Sequence, residues 1–126
     1  GIDAKAAYAG SPIGDLLPVR VLEVDDRAEH PEGSAVKVLR PDHPAIGPTG
    51  EDWPDLLGFN RTEPKADAEV LAEVNGHPLV AVSEAGRGRT GVFTSDMSPH
   101  WAPPPFMEWT GYAPLWRALS TWVAGD

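Results

Sequence analysis

Residues 78–101 read PLVAVSEAGRGRTGVFTSDMSPHW, and the reading of this run decides the fold. Two apolar segments flank a Gly86-Arg87-Gly88 turn. The composition and bounding turn residues predict strands over 78–85 and 89–95. The second strand runs into a polar cluster of Thr94, Ser95, Asp96, Ser98 and His100. A buried strand that delivers hydroxyls, a carboxylate and an imidazole at its C-terminal end is a common way for α/β folds to build a ligand crevice.

Upstream, AEVLAEV over 68–74 suits a strand in this context, although Ala, Glu and Leu also suit a helix. Asn75-Gly76 behind it is a strong hairpin signal. Residues 68–95 thus predict three strands in an antiparallel meander. Further upstream, 17–24 (LPVRVLEV) alternates as a strand, with Val19 and Val21 on one face and Arg20, Leu22 and Val24 on the other. Residues 25–33 are charged and turn-rich, and 35–39 (AVKVL) form a second short strand. Residues 41–55 are expected to be an ordered loop, because Trp53, Leu56, Leu57 and Phe59 around its end need burial. Downstream, 99–111 is irregular and proline-rich. A helix follows over 112–124, with Tyr112, Leu115, Trp116, Leu119, Trp122 and Val123 on one face. Pro114 is tolerated in its first turn and Gly125 stops it.

The 126 residues suit a single domain over 1–126 with room for a core. Fourteen prolines and thirteen glycines imply short elements and long irregular connections. A formal net charge of −9 argues against nucleic acid and anionic membranes as partners, since both need clustered cations. There is no apolar run of transmembrane length and no secretory leader pattern, so a cytoplasmic location is the default. With no cysteine, the chain has no disulfide, thiolate metal site or cysteine nucleophile of its own. It begins with Gly1, as expected of a processed product or a piece of a longer protein, and Gly1 has no side chain to act as an N-terminal nucleophile.

The best site candidate is the strand end over 95–101. In the functional reading His100 is a general base or ligand contact and Asp96 its orienting or acidic partner, with Ser95, Ser98 and Trp101 as substrate contacts. In the alternative, Asp96 and Ser98 cap a loop and His100 bonds to backbone. Ser95 with His100 is the one hydroxyl–imidazole pair, and no Gly-x-Ser-x-Gly elbow is present. Gly86-Arg87-Gly88-Arg89 is better explained as a hairpin turn than as an anion site, because the helix and lysine of a phosphate loop are missing. His30, His43 and His77 each precede proline at spacings that match no ligand motif, so neither metal nor cofactor is expected. Trp116 and Trp122 belong to the helix core face. Trp101 and Trp109 border the candidate site and leave a carbohydrate platform open against plain packing.

The segments HPLVAVSEAGRGRTGVFTSDMSPHW and GYAPLWRALSTWVAG together resemble the C-terminal half of the glutamine-amidotransferase-like proteins, relatives of the class I glutamine amidotransferases and of trehalose-utilisation-type proteins. WPDLLGFNRTEPKADAEVLAEV is similar to the segment preceding it. GIDAKAAYAGSPIGDLLPVRV resembles the part just after the family's glycine-rich nucleophile turn. The resemblance implies a flavodoxin-like α/β sandwich of about twice this length. This chain would be its C-terminal portion, an antiparallel meander with a C-terminal helix. An N-terminal half or partner polypeptide would supply the first parallel strands and the nucleophile. His100 falls near the family's catalytic histidine, but the His-Pro-Glu signature is replaced by Pro99-His100-Trp101. The acidic triad member therefore does not carry over. The function implied is a glutamine-amidotransferase-like protein that binds or modifies a small polar metabolite near Asp96 and His100. A non-catalytic interaction subunit is the alternative, and assembly into a homo-oligomer stays open.

Overall fold

The computed structural model describes residues 7–125. In chain order the elements are α1 (Pro12–Leu16), β1 (Val19–Val21), β2 (Arg27–Ser34), β3 (Val36–Val38), β4 (Leu56–Asn60) and β5 (Thr62–Pro64). These are followed by β6 (Glu69–Val74), β7 (His77–Ala85), β8 (Gly88–Phe93), α2 (Pro104–Met107) and α3 (Tyr112–Ala124). The main sheet has the order β3-β6-β7-β8, and two antiparallel pairs, β1-β5 and β2-β4, stand beside it.

The meander forms where the sequence places it. Asn75 at φ 49° and Gly76 at φ 78° make the left-handed two-residue turn that matches strand twist, so β6 and β7 pair from Val74↔His77 onward. Gly86 at φ 60° turns the chain from β7 into β8. Pro78 to Ser83 are buried without interruption. β7 therefore has both faces covered, and its run of Leu79, Val80, Ala81 and Val82 is continuous rather than alternating for that reason.

The strand expected over 17–24 is confined to β1, the irregular 99–111 segment contains α2, and a third segment departs further. Residues 25–33, turn-rich by composition, contain most of the strand β2, which pairs antiparallel with β4. Ala28 stands opposite Phe59, a fully buried core residue, so cross-strand packing outweighs the weak strand propensity of Arg27-Ala-Glu-His-Pro-Glu. The poor local sequence shows in the ladder, whose register shifts between Glu29 and Ser34. Pro31 has no N–H to give there, and Gly33 sits at φ 94°.

Helix α3 spans Tyr112–Ala124, as its periodicity predicts, and ends on Gly125 in the left-handed conformation at φ 85°. Its apolar face lies over β8, where a Cβ on Gly91 would come 3.0 Å from Leu119 Cδ1. Among the described residues Arg89 is paired with no carboxylate. It donates to the Trp122 carbonyl at 3.1 Å and lies 5.0 Å from the Trp122 ring, placing a cation at the helix C-terminus. The core joins Ile46, Leu56, Phe59, Leu71, Leu79, Phe106 and Leu115. Trp53 is buried with its indole N–H on Thr49 Oγ1, so the 41–55 loop is ordered by its own tryptophan.

The α/β class, the meander and the C-terminal helix are thus observed. All strand pairs among the described residues are antiparallel. Among the same residues no helix is long and apolar enough to cross a membrane.

Candidate functional site

The polar strand end beyond β8 is laid along β4 by a series of hydrogen bonds. Thr94 first extends the β7–β8 ladder: its N–H donates to Leu79 O at 3.0 Å and its hydroxyl to Pro78 O at 2.8 Å. The chain then passes alongside β4. Asn60 N–H donates to Thr94 O at 2.7 Å, Ser95 Oγ to Gly58 O at 2.6 Å, and Leu57 N–H to Trp101 O at 2.8 Å. Tyr112 at the start of α3 holds the loop from the other side by donating to Met97 O. Residues 95–101 are therefore fixed at both ends and in the middle, which is what a site on a loop requires for precise geometry.

Within that loop, Asp96 and His100 come together. Asp96 Oδ2 lies 2.7 Å from His100 Nδ1, and the same oxygen accepts the Trp101 backbone N–H at 3.1 Å. The carboxylate is one-third exposed and the imidazole about two-thirds exposed, at 33% and 64%. With a carboxylate on Nδ1, the neutral ring carries its proton on that nitrogen. Nε2 is then left as the ring's hydrogen-bond acceptor. His100 reaches this position at φ 146°, a backbone region that glycine favours. A residue held in such a conformation costs of order 1–3 kcal/mol and is most often found at functional sites.

Trp101 is 5% exposed and stacks on His100, with ring centroids 5.2 Å apart and an interplanar angle of 29°. Its ring lies against the backbone of β4 at Gly58, where a Cβ would come 2.3 Å from the indole Nε1. That nitrogen donates to Glu29 Oε2 at 2.9 Å.

The structure thus brings Asp96, His100 and Trp101 into one contact set. Ser95 is in the same loop, with its hydroxyl engaged by Gly58 O. Ser98 is exposed, and its side chain makes no hydrogen bond to the described residues. Glu29, Gly58 and Tyr112 complete the surroundings and were not predicted. Glu29 is 72 positions from Trp101, and no motif spacing connects them. The three other histidines lie against aromatic rings away from the Asp96–His100 pair. His30 and His77 pack on Phe59, and His43 packs on Trp122. Among the described residues no three His, Asp or Glu side chains are grouped to hold a metal.

Two cavities lie near these elements. One of about 320 Å³ is lined by Val19, Val21, Asp26, Asn60, Phe93 and Thr94, ending two residues before Asp96. The other, of about 400 Å³, lies on α3 beside Pro44, Arg117 and Trp122 and includes none of the strand-end residues.

A meander and a C-terminal helix, with an imidazole–carboxylate contact beyond the last strand, define an α/β protein. The chain belongs to the family described as "Putative glutamine amidotransferase", whose model matches residues 1–125. It is similar to Cytoplasmic Protein STM3548 from Salmonella typhimurium, with 38% identity and a TM-score of 0.92 over 98% of this chain and 50% of that one. It is also similar to Cytoplasmic Protein STM1381 from Salmonella typhimurium LT2, with 39% identity and a TM-score of 0.91 at the same coverage. This chain spans about half the length of these solved structures. A search of curated proteins finds no match.

Proposed function

We propose that Asp96 and His100 form the base half of a crevice that binds and modifies a small polar molecule carrying an amide or similar carbonyl group. The observation that carries this reading is the 2.7 Å contact from Asp96 Oδ2 to His100 Nδ1, in an imidazole that stays about two-thirds exposed. Asp96, four residues before the histidine, takes the place of the missing His-Pro-Glu acid. It orients the ring and stabilises the imidazolium that forms when Nε2 accepts a proton. A Cys or Ser brought within hydrogen-bonding reach of Nε2 would complete a nucleophile–base–acid set.

That nucleophile is proposed to come from polypeptide beyond these 126 residues, in a flavodoxin-like sandwich that the second half completes in the cytoplasm. Two observations support a missing neighbour. The edge of β8 opposite β7 pairs with no strand among the described residues. Tyr8, Ile13, Leu16 and Val24 are exposed large apolar side chains. Sedimentation and thermal melting of this chain alone test the point. Aggregation or non-cooperative unfolding is expected, and a cooperatively folded monomer would overturn it.

The chemistry is tested on the intact protein with L-glutamine as probe. Ammonia release, and L-glutamine binding read by calorimetry, are expected in the wild type, with loss of both in His100→Ala. Equal binding and turnover by His100→Ala would remove His100 from the site. Absence of any response in the wild type would overturn the amide-directed reading. The non-catalytic alternative would then gain, since the Thr94 and Ser95 hydroxyls already serve to tie backbone carbonyls.

A further inference from the structure

We propose that Glu29 is a positioning residue for the Asp96–His100 pair, acting through the indole of Trp101. The inference rests on the reading of that pair given above.

The register of β2 and β4 places Glu29 directly opposite Gly58. Cross-strand partners in a ladder project to the same face. Gly58 projects nothing, and the space its side chain would fill is taken by the Trp101 ring. The Glu29 carboxylate consequently meets the edge of that ring, and Oε2 accepts the Nε1 proton at 2.9 Å. Ala28 and Phe59, the next pair along the ladder, project the other way, and Phe59 is core. Glu29 itself is exposed, so its contact with Trp101 is not forced by burial.

Trp101 is thereby held at three points: backbone N–H to Asp96, carbonyl from Leu57 N–H, and indole N–H to Glu29. The first two fix the main chain and leave χ1 and χ2 to packing and to the third. The indole plane is the surface on which the His100 imidazole rests. An exposed histidine has few contacts to limit its rotation about the axis through Nδ1. A fixed aromatic plane beneath it limits where Nε2 points. A charge-assisted hydrogen bond is about twice as strong as a neutral one, and the anionic Glu29 makes such a bond to the indole.

The test follows His100 by NMR in the protein, through the ring-current displacement of its Hε1 resonance, beside thermal melts. In Glu29→Ala the displacement is expected to be lost while the melt is retained. Glu29→Gln keeps a neutral carbonyl acceptor for the indole N–H and is expected to restore the resonance about halfway to wild type. Trp101→Phe keeps a ring but no N–H donor, and adding Glu29→Ala to it is expected to change nothing further. An unchanged His100 resonance in Glu29→Ala overturns the proposal, as does a failure of Glu29→Gln to move it back towards wild type. If His100→Ala retains L-glutamine binding and turnover while Glu29→Ala still moves the His100 resonance, the functional reading has failed and the positioning contact stands.

Discussion

The Trp101 indole occupies the space over Gly58 that a side chain would fill, with Nε1 2.3 Å from the position a Cβ would take. The two residues are far apart in sequence, yet each limits the other. Gly58→Ala forces the ring off β4 and off His100. Overpacking of this kind destabilises by about 1–3 kcal/mol. Urea unfolding should show that loss, and tryptophan emission should shift as the indole moves towards water. A variant of wild-type stability and emission would mean that the ring has room to spare.

His100 combines the side chain proposed as base with a strained backbone, and the two separate by substitution. His100→Gly relieves the φ of 146° while His100→Ala keeps the strain, and both remove the imidazole. Strain relief of about 1–3 kcal/mol exceeds the extra entropy of glycine, so His100→Gly should be the more stable by about 1 kcal/mol. Denaturant midpoints of the two variants decide it. An alanine variant equal to or above the glycine variant would show that the backbone there carries no cost.

Leu115 is fully buried and anchors α3 in the common core with Phe106. Truncation to alanine leaves a cavity on the side of the helix whose first residue, Tyr112, also holds Met97. Leu115→Ala should lose about 2–5 kcal/mol of stability. Because Tyr112 and the site loop share that helix, local exchange protection over 95–101 should fall with it. Full protection of the loop in Leu115→Ala would separate the two.

The Asp25 carboxyl is held below its ordinary value of 3.8, first by the side-chain hydrogen bonds from Arg27, whose Nε and Nη2 lie 3.0 and 2.9 Å from its oxygens. A carboxyl whose folded pKa is depressed adds stability above its unfolded value, and that stability is lost as pH falls through the folded pKa. The pair is exposed, so the effect is small and screened by salt. Arg27→Gln should raise the Asp25 midpoint towards 3.8, read by carboxyl NMR titration. An unmoved midpoint would assign the depression to another group.

Local chemistry was enough to read the meander. Asn75-Gly76 and Gly86 turn the chain wherever strands flank them, and the 3.6-residue repeat from Tyr112 defines α3 down to its Gly125 stop. β2 was not legible, because nothing between Asp25 and Gly33 favours a strand until Phe59 packs on Ala28. The same held for the site. Asp96 and His100 were readable as a pair because they sit four residues apart on one loop, while their support comes from β2, β4 and α3.

The sequence by itself determined the turns, the buried run of β7, the C-terminal helix and the imidazole–carboxylate pair, since each depends on residues within a few positions of one another. Only the tertiary structure decided that Gly58 makes room for Trp101, that Glu29 opposite it receives the indole N–H, and that His100 rests on the ring between them. These contacts join residues tens of positions apart. Burial, cross-strand register and steric exclusion act on distance in space, and no local pattern records them.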